Sequence, residues 1–382
     1  MIIRIRKYGK IVIKKIKAVF KCILHFKTYT SQIRMLNTLY ENNSLDGKYI
    51  EERKIWYGNF KKLIFYSVGS HDRMPFISAF FTENVELKKQ SNTYTDFSMP
   101  IVVVAVRNDI PHISVLLKHY RKLGITNFLI IDNDSDDGTL SYLMQQEDVT
   151  VYSVKTQFKD YLKNGWKNQV IARMGLNHWY IYVDADELLV YPGMEEISFK
   201  EYMERINYHR IKKLNGFVLD MYPEYDLLDK AHPDFDLIKD YCWYDKYDSR
   251  YVTYKNNYVW GGMRNRVFGT NSLLAIKRVV FYEKNRFICS SHYIFPFEES
   301  DDGNVNIAFL HYKFLPSDIN NYRRVADTGI YHNSSNGYRR IMEKFDNSDR
   351  INAMCELSCK WSGSDCLKEF PFMQDVSGYW DK

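Results

Sequence analysis

Two carboxylates at i and i+2, Asp184 and Asp186, with Glu187 next to them, follow directly on the apolar run Tyr180-Ile181-Tyr182-Val183. Carboxylates fixed at the end of a buried strand can hold one hard cation, directly or through water. Mg2+ and Mn2+ want such oxygen ligands and share them readily with a diphosphate. A turn rich in Asp looks the same in isolation, so the motif draws its weight from its setting. Two further polar clusters stand at comparable places, Arg107-Asn108-Asp109 and the acidic run of residues 132–137.

Each cluster ends an apolar run. Residues 101–106 are continuously apolar and mostly β-branched, the mark of a strand buried on both faces. Asp109 can N-cap a helix with Pro111 in its first turn. Ile113, Leu116, Leu117, Tyr120 and Leu123 keep helical spacing, and Gly124 closes that helix. Residues 128–131 read as a second strand and 149–154 as a third, with a short helix through Leu140 and Leu143 between them. A helix over 166–177 then precedes a fourth strand over 179–183. Alternation of this kind means parallel βαβ units. Such sheets bind ligands beyond the carboxyl ends of their strands, at the point where strand order reverses, so the three clusters are expected to converge. Neither GxGxxG nor GxxxxGK[ST] occurs at the first βα turn, which disfavours dinucleotide oxidoreductases and P-loop NTPases. Residues 41–98 mix polar turns with short apolar runs and receive no element from pattern alone.

The chain has 382 residues, 45% hydrophobic and 26% charged. That suits one large α/β domain with appendages, and excludes wholesale disorder or a polytopic membrane protein. The net charge of +6 is unevenly spread. Residues 1–40 hold ten Lys or Arg and no acid, leaving 43 basic against 47 acidic residues in the rest. On a helix, Lys7, Lys10, Lys14, Lys17 and Lys21 fall on one face, with Ile5, Tyr8, Val12, Ile16, Val19 and Ile23 opposite. This is the pattern of an interfacial helix on anionic lipid. The Lys- and Ile-rich arm differs from an Arg- and Ser-rich transit peptide, and the acidic body speaks against nucleic acid. The six cysteines form no CxxC pattern and no cleavable signal is evident, so reduced thiols in a cytosolic protein are expected.

The ordered set Val102-Val103-Val104-Ala105-Val106-Arg107-Asn108-Asp109, His119-Tyr120-Arg121-x-Leu123-Gly124, Ile131-Asp132-Asn133-x-Ser135-x-Asp137-Gly138-Thr139 and Tyr182-Val183-Asp184-Ala185-Asp186-Glu187 resembles the family-2-like glycosyltransferases of GT-A fold, in the branch related to glycosyltransferase family 92. Gly261-Gly262-Met263-Arg264-Asn265-Arg266-Val267-Phe268-Gly269, Lys277, His292 and Leu310-His311-Tyr312-Lys313-Phe314 fit as well. The likeness covers residues 99–316. Asp109 departs conservatively from a Glu more frequent in the family.

The resemblance implies a Rossmann-like, mostly parallel central sheet with flanking helices, and inverting transfer of a sugar from a nucleotide diphosphate donor with a divalent metal, Mn2+ or Mg2+. Arg107, Asp132 and Asp134 would line the nucleotide pocket. Asp184 and Asp186 match the metal–diphosphate motif, with Asp186 the direct ligand, and His311 completes the metal shell. Imidazole favours Mn2+. Arg264, Arg266 and Lys313 are candidates to neutralise the leaving diphosphate, and Asn168 and Gln169 to close over the donor. Inversion needs a general base, for which Asp220 ranks first, then Glu224, with His292 an alternative.

The expected organisation is a basic amphipathic arm over 1–40, an extension over 41–98, the GT-A domain over 99–330 and a helical C-terminal region over 331–382. The expected function is a hexosyltransferase using a UDP-sugar and a glycan or lipid-linked acceptor in surface polysaccharide or lipopolysaccharide synthesis. It would sit in the cytoplasm, peripheral on the inner face of the membrane through residues 1–27, with no nucleic acid partner. A sugar nucleotidyltransferase and a non-catalytic GT-A binding scaffold are the alternatives.

Overall fold

The computed structural model describes residues 2–42, 50–67, 73–82, 85–93, 96–229, 234–248, 250–254, 258–270, 274–290, 293–297, 305–329 and 335–373. Four helices lead: α1 (Ile2–Leu24), α2 (Phe26–Asn42), α3 (Ile50–Ser67) and α4 (Arg73–Thr82), followed by strand β1 (Glu86–Lys89). The alternating segment comprises β2 (Ile101–Val106), α5 (Ile110–Lys122), β3 (Phe128–Asp132), α6 (Thr139–Met144), β4 (Val149–Ser153), α7 (Asp160–Met174) and β5 (His178–Tyr182). Next come β6 (Glu187–Val190), α8 (Phe199–Tyr208), β7 (Lys213–Met221), α9 (Leu237–Asp240), β8 (Trp243–Asp245), β9 (Val252–Tyr254), β10 (Tyr258–Trp260) and α10 (Gly262–Phe268). The chain continues through β11 (Ala275–Tyr282), β12 (Phe287–Ser290), β13 (Tyr293–Phe295), β14 (Val305–Tyr312), α11 (Ile319–Thr328), α12 (Asn336–Asp346) and β15 (Ser358–Lys360).

Nine strands make one sheet in the order β1-β4-β3-β2-β5-β11-β7-β14-β6. The pairings set β2, β3, β4, β5, β7 and β14 in one direction and β1, β6 and β11 in the other. The parallel half matches the βαβ reading. From β2 the chain winds to β3 and β4 on one side and then crosses to β5 on the other, so the switch point lies between β2 and β5.

Burial alternates along β2 as the pleat demands. Val102, Val104 and Val106 enter one apolar cluster with α5 and α8, while Ile101 and Val103 enter a second with α3, α4 and α7. Full burial of one such side chain is worth about 1.5–3 kcal/mol. The unassigned stretch 41–98 supplies that second layer, with Trp56, Phe60, Leu63 and Phe80 buried. The α4–α7 crossing is close because Gly165 has no side chain; a Cβ there would lie 2.5 Å from Ala79 Cβ and 2.8 Å from Phe76 O.

The arm is helical. Ala18 is buried and Cys22 Sγ lies 3.7 Å from Phe65 O, so one side of α1 rests on α3. Val12, Ile16, Val19, Phe20, Ile23 and Leu24 stay exposed, several above 60%. No described helix is long and apolar enough to cross a membrane. Beyond residue 330 the described chain holds one α-helix, one strand and a 3-10 turn (Ser364–Glu369), a more varied segment than the helical one expected. All six cysteines are free.

Candidate functional site

Backbone and side-chain staples hold the strand ends together. Asn133 N–H donates to Val106 O (2.8 Å), and its amide donates to Val154 O (3.0 Å) and Thr156 O (2.8 Å). Asn108 adopts φ 51, a left-handed conformation Asn tolerates. Its amide donates to Asp136 Oδ1 (2.6 Å) and its Oδ1 accepts from Asp136 N (2.9 Å). The loops after β2 and β3 thereby form one rim. Arg107 is half-buried at its edge and Asp134 exposed upon it.

Asp132 sits beneath the rim with a fully buried side chain. Its Oδ2 accepts from Ser135 N (3.1 Å), but buried Oδ1 has no donor. Burial pushes this carboxyl up, against the opposing bond from Ser135. A buried acceptor without a partner costs about 1–3 kcal/mol. An imide or hydroxyl donor on a nucleotide is the kind of group that relieves it.

The acidic centre is set by sheet register. On β14, His311 stands opposite Asp220 of β7 on one side and Glu187 of β6 on the other. Tyr312 N–H donates to Asp186 O (2.9 Å), fixing the loop before β6 against β14. His311 Nδ1 lies 2.7 Å from Asp220 Oδ1, and its Nε2 lies 3.3 Å from Asp186 Oδ2. Without an ion the Nε2–H pairs with the Asp186 carboxylate; a cation there would leave the proton on Nδ1, shared with Asp220, and take the Nε2 lone pair. This is the tautomer and carboxylate support found behind metal-bound histidines. Two ligand atoms 3.3 Å apart match neighbouring positions on one ion, since bonds of about 2.1 Å at right angles give roughly 3 Å. Asp186, Glu187 and His311 converge as a possible three-ligand group. Glu187, however, already binds Lys277 (2.7 Å) and Asp184 N (2.9 Å). Asp186 and His311 could hold a divalent cation, which would share Asp186 Oδ2 with the Lys313 ammonium 3.2 Å away and leave positions for phosphate oxygens or water.

Lys313 Nζ lies 3.2 Å from Asp186 Oδ2. Burial alone would raise the Asp186 carboxyl; Lys313 and then His311 outweigh it and hold the group well below the usual carboxylate range. Burial likewise opposes the Lys313 ammonium, and Asp186 overrides it, keeping that group well above its ordinary value.

Asp184 departs from expectation. Its carboxylate binds Lys163 (2.9 Å) and Lys277 (3.0 Å), with Lys167 at 3.5 Å. It therefore anchors a lysine cage, and the ligand atoms that face each other are those of Asp186 and His311. Lys163 and Lys167, one turn apart on α7, carried no motif in the sequence. Only the fold brings them to a strand end and to Lys277, 93 residues beyond Asp184.

Other expectations need correction. Asp220 is buried between Arg264 (2.8 Å) and His311, and its carboxyl stands at about 2 because Arg264 and His311 outweigh burial. Enclosed and paired on both sides, this carboxylate is placed to orient His311. Glu224 is exposed. Arg266 is spent on Asp245 (2.7 and 2.9 Å) and Ala353 O (2.6 Å), so it is a structural tie. Asn168 anchors α7 by donating to Ile288 O (2.8 Å) and accepting from Tyr282 (3.1 Å). Gln169 donates to Phe80 O (2.7 Å), joining α7 to α4. Both amides are buried and engaged within the fold. His292 lies outside the described residues.

No family model matches the chain, and no curated protein matches it. Among solved structures, the mannosyltransferase PcManGT from Pyrobaculum calidifontis, in complex with GDP-Man and Mn2+, is 15% identical with a TM-score of 0.23. That match covers 45% of this chain and 47% of that one, so the chain spans less than half of the mannosyltransferase. A proposed glucose-1-phosphate thymidylyltransferase from Bacillus anthracis is 11% identical, with a TM-score of 0.24 over 58% and 75% of the two chains. A UDP-glucose pyrophosphorylase complexed with UDP-glucose is 10% identical, with a TM-score of 0.24 over 74% and 96%. All three are enzymes of nucleotide-sugar chemistry, at an overlap too slight to carry an argument.

Proposed function

We propose that the chain is a metal-dependent hexosyltransferase that moves a sugar, with inversion, from a UDP-sugar to a glycan or lipid-linked acceptor in surface polysaccharide or lipopolysaccharide synthesis. The observation that carries this reading is the Asp186–His311 pair, backed by Asp220, at the strand ends of a sheet whose β3 also ends in a buried carboxylate, Asp132, with a partnerless Oδ1. Asp132 would accept from the base or ribose, with Arg107 and Asp134 at the pocket's edge. Asp186 and His311 would hold Mn2+ or Mg2+, the imidazole favouring Mn2+. Such an ion supplies charge neutralisation for a leaving diphosphate. Lys313 adds a fixed positive charge 3.2 Å from Asp186, preorganised before the reaction starts. Arg264 holds Asp220 in its ionised form, so the support behind His311 does not relax.

The arm belongs to the same reading. The exposed apolar face of α1, with lysines alongside and no acid within residues 1–40, complements an anionic lipid surface. Each lysine near such a surface contributes about 1 kcal/mol. The enzyme would be peripheral on the cytoplasmic face of the membrane.

The test is nucleotide release. Full-length protein incubated with a panel of UDP- and GDP-sugars and Mn2+ should liberate the nucleoside diphosphate from at least one, and chelator should stop it. Failure to release or bind any of these nucleotides with Mn2+ present would overturn the reading.

A further inference from the structure

A second cluster lies near enough to Asp186 to feel its charge. Asp109 and Asp318 occupy the N-cap positions of α5 and α11, yet neither side chain caps its helix. Each helix thereby forgoes the capping bond that an Asp at this position ordinarily supplies. Both carboxylates turn to the same residue instead. Asp109 Oδ1 lies 2.6 Å from His112 Nδ1, and Asp318 Oδ2 lies 4.0 Å from His112 Nε2. Leu315 N (3.1 Å) and Tyr322 Oη (3.2 Å) donate to Asp318 Oδ2 and fix its place. His112 is 4% exposed, and its buried Nε2 has no hydrogen-bond partner.

The 4.0 Å gap is too wide for a hydrogen bond. It is the span of one oxygen atom bonded to both groups, since two bonds of about 2.8 Å meeting near a right angle bridge that distance. We infer that His112 and Asp318 seat the attacking hydroxyl of the acceptor, His112 donating to its oxygen and Asp318 serving as the general base. The inference rests on the glycosyltransferase reading and supplies the base that Asp220 and Glu224 do not.

The step balances. The hydroxyl O–H bond breaks and its proton passes to the Asp318 carboxylate. The oxygen bonds to the anomeric carbon from the face opposite the leaving group. The bond to the diphosphate breaks with its electron pair going to the phosphate oxygen, and Asp318 later returns its proton to solvent. The electrostatics agree. Burial, tempered by His112, pushes the Asp318 carboxyl up to about 6, near the range in which a carboxylate is an effective base at neutral pH. Burial opposes charge on His112, but Asp109 outweighs it and lifts the imidazole to about 9, so His112 is a donor at Nε2.

Donor hydrolysis, with water in the acceptor's place, tests this without knowing the acceptor. With a UDP-sugar that the wild type turns over, Asp318→Asn should lower the rate of UDP release at least 100-fold. Calorimetry should show UDP with Mn2+ binding within about two-fold of wild type, which also reports folding. His112→Gln, on a different helix, should show the same split with a loss of about ten-fold. Hydrolysis retained within three-fold in Asp318→Asn would overturn the assignment. So would a parallel loss of UDP binding, which would make Asp318 part of the donor pocket. A fall in the number of Mn2+ ions bound would mark the cluster as a cation site and overturn it too. If the wild type itself neither binds UDP with Mn2+ nor releases it, the glycosyltransferase reading fails first and takes this one with it.

Discussion

Asp132→Asn should weaken nucleotide binding while leaving the nucleotide-free protein as stable or more so. The substitution keeps an oxygen for the 3.1 Å bond from Ser135 N, but sets an amide donor where the partnerless Oδ1 now stands. A ligand N–H or O–H that pairs with Oδ1 recovers about 1–3 kcal/mol, so losing it should cost roughly 5- to 150-fold in affinity. Without nucleotide the sign reverses, because a neutral amide is cheaper to bury than a carboxylate. The folded-state pKa of Asp132 is raised, chiefly by burial. Stability linked to it is present below the unfolded pKa and lost as pH rises through the folded value. The wild type therefore carries the penalty at neutral pH, and the gap between the two proteins should close in acid. Thermal melting with and without UDP and Mn2+ reads stability, with a shift of a few degrees expected, and calorimetry reads affinity. Unchanged UDP affinity, or a large drop in melting temperature without nucleotide, would make Asp132 a turn residue and refute the reasoning.

Other expected outcomes follow from separate parts of the molecule. Gly165→Ala should cost about 1–3 kcal/mol in urea unfolding, since its Cβ must displace Ala79 and Phe76 at the α4–α7 crossing. Asp220 is depressed to about 2, so its contribution, on the order of 2 kcal/mol, is present above the unfolded pKa near 3.9 and lost as pH falls towards about 2; Asp220→Asn should flatten that part of the acid unfolding profile. His311→Ala should retain more turnover than Asp186→Ala and shift the preferred metal from Mn2+ towards Mg2+, measured across a metal series. Removal of residues 1–27 should abolish sedimentation with anionic vesicles at moderate salt while donor hydrolysis persists.

The parallel half of the sheet was legible in the sequence because each strand there is a buried apolar run ended by polar residues. Residues 128–131 and 149–154 read as strands within one residue of β3 and β4. The stretch 41–98 was not legible. Trp56, Phe60 and Leu63 stand at i, i+4 and i+7 and share one buried face of α3, but the half-buried aromatics Tyr57, Phe65 and Tyr66 beside them blur that stripe in the sequence. Nor does spacing reveal that β11 inserts antiparallel between β5 and β7, carrying Lys277 to Asp184. The site divided along the same line. Asp186, His311 and Lys313 came from motifs and converge. Asn168, Gln169 and Arg266 were polar residues near those motifs, and the fold turns them into ties between elements. His112 and Asp318 are 206 residues apart, and only the placement of α11 makes them neighbours.

The central claim is that Asp186 and His311 hold one cation beside the nucleotide. Electron spin echo spectroscopy of Mn2+ bound with UDP tests it most directly, because a directly bound imidazole imprints nitrogen modulation on the echo. The wild type should show that modulation, His311→Ala should lose it while still binding UDP, and Asp186→Ala should lose the bound Mn2+ signal. Tight Mn2+ binding with no nitrogen modulation in the wild type, or a spectrum unchanged in His311→Ala, would contradict the account.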